Sequence, residues 1–419
     1  MSAGGVGQAL AHGNPKAEQN AYGGPVASDA PRRVPDLSRP EVESLFEQRL
    51  AAAFAALGVF NLLVVGKTGV GKSTLVNAMF GSEVARTGLG EPVTKGLVHY
   101  RIPDSFLGLY DAEGFETGVA GDAILNGLRA LVSRYAERPS EEQIHASWYL
   151  VRWSDRRFEQ AQVSFVRELA RMQLPVVIVL TQVPTRDGQV HPEAREFAEY
   201  IDSLELPVAG PTILTNAQAD AFSSAPVFGL QDLLDATYRV VPEVAERALT
   251  AAQKIDFGRK KKAVDSIINQ ASTIAAGIGA TPIPFADAAL LIPNQITMIA
   301  RITAAYGLPP SRSRAMSLAG SIVLTGGATM AGRYAVTNLL KFIPGGAVAG
   351  SAISATVAAS MTKAVGLAWS QVCELALGMD DQQRDRFWAS GAVAEQFLVF
   401  FKQNPSAGAS LLRRVVKRA

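Results

Sequence analysis

A chain of 419 residues is long enough for two or three domains, each with its own core. Its 40 Lys and Arg against 38 Asp and Glu leave a formal charge of +2, so no global basicity argues for nucleic acid as a partner. The single cysteine, Cys373, excludes an intramolecular disulfide and a thiolate metal cluster, and His12, His99, His145 and His191 are scattered singly, against a structural zinc site.

Residues 1–37 mix Gly, Ala, Pro and charges, with few large apolar side chains, and are expected to be disordered. They show no basic start followed by an apolar core, the pattern of a secretory signal, so a cytoplasmic location is expected. Ser38-Arg39-Pro40-Glu41 then has the S-x-x-E spacing of a capping box. Val42, Leu45, Phe46, Leu50, Ala53, Phe54 and Leu57 follow at helical spacing, predicting a packing helix that leads the first domain, 38–254.

Between residue 61 and about 254, strand-like runs at 62–65, 97–102, 107–110, 148–151, 176–180 and 212–215 alternate with helical ones at 73–80, 123–136, 158–172, 192–203 and 230–251. That alternation predicts an α/β domain with a mostly parallel sheet, whose ligands bind at the carboxyl ends of the strands.

The most specific motif lies at the end of the first strand. Gly66, Lys67, Thr68, Gly69, Val70, Gly71, Lys72 and Ser73 form a G-x-x-x-x-G-K-[ST] match between an apolar strand and the helix opened by Thr74. Glycines let the backbone curl so that successive N–H groups face a β-phosphate, and the helix N-terminus adds its positive end. Lys72 is expected to reach the β- and γ-phosphates and Ser73 to bind Mg²⁺. A nucleoside triphosphate is therefore the expected ligand. Downstream, Thr94 in a loop before a strand is the candidate for Mg²⁺ and γ-phosphate contact, and Asp111-Ala112-Glu113-Gly114 is a D-x-x-G at a strand end. There Asp111 suits Mg²⁺ through water, and the Gly114 N–H suits the γ-phosphate.

Over roughly residues 61–252 the chain resembles the Era/septin-like branch of the translation-factor-related P-loop GTPases. The likeness rests on G-K-T-G-V-G-K-S-T-L-V-N-A-M-F-G, E-P-V-T-K-G and Y-D-A-E-G-F-E. It implies a GTP/GDP switch, with Lys72, Thr94 and Gly114 acting in catalysis and Ser73, Thr94 and Asp111 at the metal. In the slot of the family's N/T-K-x-D motif stand Thr181, Gln182, Val183 and Pro184, so Thr181 fits, Gln182 replaces the lysine and Pro184 replaces the guanine-reading carboxylate. Asp187 lies three residues on, either reaching back to the base or serving as a solvated turn residue. Thr215-Asn216-Ala217 resembles the family's S-A-K segment, implying that the Ala217 N–H meets the guanine O6. Phe115 occupies the slot where Ras-like enzymes place a water-orienting glutamine, so slow turnover is implied, with a homodimer partner or an activating protein as a source of the missing group.

Beyond residue 254, Arg259-Lys260-Lys261-Lys262 is a basic cluster that suits either a solvated helix start or an anionic membrane surface. Charges then thin out across 263–378 to well below the roughly one quarter of soluble domains. Residues 315–332 and 342–362 are free of charge, and the second stretch is long enough to span a bilayer, although its Gly, Ala, Ser and Thr content makes insertion weakly favourable. Pro282, Pro284, Pro293, Pro309, Pro310 and Pro344 are expected to break 255–379 into shorter helices. Residues 282–307 resemble the YcjF-like helical domain that accompanies some bacterial Era-like GTPases, which implies an all-α second domain with a hint of membrane association. A last helix and a tail pairing apolar with basic residues, 411–418, complete the chain from 380 to 419. Three readings stay open: a GTP switch with slow hydrolysis, an ATP-binding or nucleotide-promiscuous P-loop protein, and a nucleotide-gated scaffold on the inner face of the membrane.

Overall fold

A computed structural model describes residues 39–81, 89–94, 97–101, 105–112, 118–135, 139, 142–219, 225–280, 286–308, 355–390 and 392–403. The predicted disordered start, the capping Ser38, the D-x-x-G residues Glu113 and Gly114 with Phe115, the charge-free stretch 315–332, most of 342–362 and the tail 411–418 lie outside them.

A leading helix, α1 (Arg39–Leu57), runs into β1 (Phe60–Gly66), the phosphate-loop segment and α2 (Lys72–Phe80). Strands β2 (Leu89–Thr94), β3 (Leu97–Arg101) and β4 (Leu107–Ala112) follow, then α3 (Gly118–Tyr135), β5 (Ala146–Arg152), α4 (Gln160–Arg171), β6 (Val176–Thr181), the short β7 (Thr185–Arg186) and β8 (Gln189–Val190), α5 (Pro192–Asp202) and β9 (Ile213–Leu214). The sheet order is β2-β3-β4-β1-β5-β6-β9. Pairing is parallel from β4 through β9, while β3 runs antiparallel to both β2 and β4.

Burial on both faces explains why the central strands read as continuous apolar runs. Leu62 and Val64 of β1 pack with Trp148 and Leu150 of β5 under one helical layer, whereas Leu63 and Val65 pack with Tyr149 and Val151 under the other. The sheet is thus mostly parallel, as the alternation predicts. One expectation changes: Thr94 ends the edge strand β2 beside a register irregularity, where a loop was expected, because residues 89–94 pair antiparallel with β3.

A single helix over 230–251 is also corrected. The chain forms α6 (Leu230–Tyr238) and α7 (Glu243–Ala252), because Pro242 lacks the N–H that a continuous helix needs and sits instead as the residue before α7. Conversely, Pro293 does not break its segment. It lies inside α9 (Ala286–Ala305), which follows α8 (Phe257–Gly279), and tertiary packing of α9 on α1, α7 and α8 holds the helix through it.

Helices α10 (Ala355–Leu377), α11 (Asp381–Ala389) and α12 (Ala392–Gln403) complete the described chain. Their core joins Ile268 of α8, Met298 and Ile302 of α9, Trp369 and Cys373 of α10, Trp388 of α11 and Phe397 of α12. Close approach is needed at Gly366, where an added Cβ would come within 2.9 Å of the Met298 sulfur. Phe46, Leu50 and Ala53 of α1 belong to this same core, so a helix assigned by sequence order to the first domain packs with the second. Phe54 at its far end stacks on Phe106 beside β4 at 4.9 Å and ties the two cores together. No helix among the described residues is long and apolar enough to cross a membrane.

The basic cluster is divided. Arg259 pairs with Asp235 and Asp256 and lies 4.1 Å over the Tyr238 ring. Lys260 is 1 % exposed, and its ammonium donates to the carbonyls of Ala251 at 2.7 Å and Tyr306 at 3.3 Å. Those two side chains are structural, in contrast to the solvated or lipid-facing role expected from a run of four charges. Lys261 and Lys262 remain exposed.

Candidate nucleotide-binding site

The loop between β1 and α2 has the backbone its glycines allow. Gly69 and Gly71 adopt φ of 77° and 97°, the left-handed region that L side chains rarely enter. Gly66 meets a different constraint: a Cβ there would come within 2.8 Å of the Leu150 carbonyl. Lys72 is buried, and its Nζ donates to the Gly66 carbonyl at 3.0 Å and the Lys67 carbonyl at 3.4 Å, across the inside of the loop. Lys67 reaches Glu159, just before α4, at 3.8 Å, an exposed pair of little energetic weight.

Two cavities open beside this loop. The first, of about 200 Å³, is lined by Lys72, Ser73 and Asp111 together with Val64, Val76, Leu109 and Tyr100. It gathers three of the sequence-predicted side chains, a cation, a hydroxyl and a carboxylate, at the carboxyl ends of β1 and β4. A hydroxyl and a carboxylate are the hard oxygen donors that Mg²⁺ prefers, so this donor set fits the metal. Thr94 stands at the end of β2, and its side chain lies outside the described residues, as does all of Gly114. Tyr100 was not foreseen. It shares a wall with the polar trio because strand β3 alternates its side chains across the sheet, which only the strand register reveals.

The second cavity, of about 110 Å³, is lined by Gly71, Thr74, Leu75, Thr181, Gln182, Asn216, Ala217 and Gln218. It brings the predicted base-side residues onto the phosphate loop. The Thr181 hydroxyl donates to the Val70 carbonyl at 2.6 Å and lies 3.3 Å from that of Val151. Gln182, itself at a left-handed φ of 57°, donates from Nε2 to the Gly69 carbonyl at 3.0 Å. Asn216 donates from Nδ2 to the Pro226 carbonyl at 2.9 Å. Asp187 is placed with Gly188 at positive φ in the two-residue turn of the β7–β8 hairpin, exposed at its tip, which is the solvated turn reading. Gln218 was missed, although it directly follows Ala217.

A mostly parallel sheet with a glycine loop between its central strand and the next helix defines the P-loop nucleotide-binding class. Residues 61–205 match the family described as 50S ribosome-binding GTPase, and residues 244–403 match a domain of unknown function, DUF697. The chain therefore carries a P-loop GTPase domain followed by a DUF697 domain. Among curated proteins it is 24% identical over 194 residues to "Neuronal-specific septin-3" of Danio rerio, covering 40% of this chain and 52% of that protein. It is also 24% identical over 170 residues to "Cell division control protein 10" of Saccharomyces cerevisiae, covering 34% and 52%. The chain thus spans about half the length of these relatives. Among solved structures, a probable GTP-binding protein engB aligns at 18% identity with a TM-score of 0.29, covering 44% of this chain and 99% of that one. A point variant of Aquifex aeolicus Era bound to GDP.AlF4- aligns at 15% identity with a TM-score of 0.28, covering 52% and 68%.

Proposed function

We propose that this chain is a GTP-driven switch that binds GTP with Mg²⁺, hydrolyses it slowly and signals its state to the helical domain. The observation that carries this reading is the single cavity in which Lys72, Ser73 and Asp111 meet. Lys72 would leave its loop carbonyls for the β- and γ-phosphates, whose charge a buried ammonium stabilises far better than a solvated one. Ser73 and Asp111 would hold Mg²⁺, directly and through water. Bound Mg²⁺ supplies the positive charge that steadies the leaving phosphates. Thr74 and the N–H groups of residues 66–73 cradle the phosphates, while Thr181, Gln182, Asn216 and Ala217 face the base. Thr94 and Gly114 are the proposed γ-phosphate contacts.

Slow hydrolysis follows from Phe115, which has no polar group to orient a water; a second copy of the chain or an activating protein is the proposed source of that group. The address we propose is cytoplasmic, with contact to an anionic membrane surface through exposed Lys261 and Lys262 and the basic tail. Phosphate release by the purified chain, with and without Mg²⁺ and anionic vesicles, tests the reading. Slow, Mg²⁺-dependent release that vesicles accelerate is expected. Binding of GTP with no release under any of these conditions would leave a nucleotide-gated scaffold in place of an enzyme.

A further inference from the structure

Three carboxamides line the base-side cavity, those of Gln182, Asn216 and Gln218, and none of its described lining residues is a carboxylate. Two of the amides are oriented by an N–H they donate, Gln182 to the Gly69 carbonyl and Asn216 to the Pro226 carbonyl. Gln218 is exposed at the cavity, and among the described residues its amide makes no comparable bond. Asp187 stands at the hairpin tip, while Pro184 accepts a backbone bond from His191 at the hairpin base. Among the described lining residues the polar side chains without such a bond are therefore the Thr74 hydroxyl, which belongs with the phosphate loop, and the Gln218 carboxamide on the base side.

We propose that Gln218 reads the base through its carboxamide and that the site consequently takes both guanine and adenine nucleotides. The proposal rests on the reading of residues 66–73 as a phosphate loop. A carboxylate only accepts hydrogen bonds, so it matches the N1–H and N2–H₂ of guanine and opposes the bare N1 of adenine. A carboxamide carries both kinds of group. Its Oε1 accepts from the guanine N1–H or N2–H₂. Turned half way round, its Nε2 donates to the adenine N1 while its Oε1 accepts from the adenine N6–H₂. Discrimination then falls from the roughly 10⁴-fold of a site whose polar groups are left unpaired by the wrong ligand to about 100-fold or less.

The test uses the full chain with Mg²⁺ and a fluorescent GDP analogue, displaced by unlabelled GTP or ATP. Displacement midpoints for the two triphosphates within about 100-fold of each other are expected, and a wider gap contradicts the proposal. Gln218→Glu makes the group acceptor-only at nearly constant shape, and should widen the gap by about tenfold in favour of GTP. An unchanged or narrowed gap in that variant overturns the role of Gln218. Repulsion between the new charge and the phosphates is common to both nucleotides and cancels in the ratio. If the labelled nucleotide does not bind at all, the phosphate-loop reading falls first and takes this one with it, an outcome distinct from tight binding of GTP alone.

Discussion

The Thr181 hydroxyl donates to the Val70 carbonyl at 2.6 Å, joining the end of β6 to the middle of the phosphate loop. Both groups are buried, so the bond is made out of reach of water. Together with the Gln182 amide on the Gly69 carbonyl, this hydroxyl braces the two halves of the nucleotide cleft against each other.

Thr181→Val keeps the shape of the side chain and removes this donor. Leaving the buried carbonyl without its partner should cost about 1–3 kcal/mol of stability. Urea denaturation reads this loss. Nucleotide affinity should fall as well, because the loop loses its brace; an unaltered denaturation midpoint would show that the bond carries no net energy.

Lys260 predicts a pH dependence. Burial, aided by the charge of Lys254, holds its ammonium well below the ordinary lysine value of 10.5. Between the folded pKa and 10.5 the unfolded chain binds more protons than the folded one, so this residue makes stability rise with pH through that window. Below the folded pKa its unfavourable contribution is constant. Lys260→Met should flatten the rise in denaturation midpoint as the pH climbs from the folded pKa toward about 9.5, a limit kept below the ordinary tyrosine pKa so that buried Tyr149 and Tyr306 stay silent. Identical slopes for the two proteins would contradict the assignment.

Thr94→Ala separates a switch contact from a structural one. Its proposed bonds exist only with Mg²⁺ and the γ-phosphate, so GTP affinity should drop about tenfold while GDP affinity stays nearly constant. Equal losses for both nucleotides, measured by equilibrium binding, would make Thr94 a structural residue of β2.

The phosphate loop is legible in sequence because its chemistry is local: glycines, lysine and serine at fixed spacing between a strand and a helix. The parallel core is legible for a similar reason, since residues buried on both faces leave continuous apolar runs at β1 and β6. What escapes depends on distant partners. Nothing around Lys260 announces that the carbonyls of Ala251 and Tyr306 will close over it, and a run of four basic residues reads as surface. Helix α1 looks like part of the domain it precedes until Phe46 and Leu50 are found in one core with Ile268 and Ile302. The break between α6 and α7 did have a local signal, Pro242, outweighed by the helical pattern on either side.

The central claim, that residues 66–73 hold the phosphates of a nucleotide, is tested most directly by calorimetric titration of GTP with Mg²⁺ into the wild-type chain and Lys72→Ala. Wild type should bind with measurable heat. Loss of the charge-assisted bonds from Lys72 should weaken binding by about 100-fold or more. The near-UV signal of buried Trp369 and Trp388 should persist, since the helical core does not include Lys72. Equal affinity in the two proteins would contradict the account at its foundation.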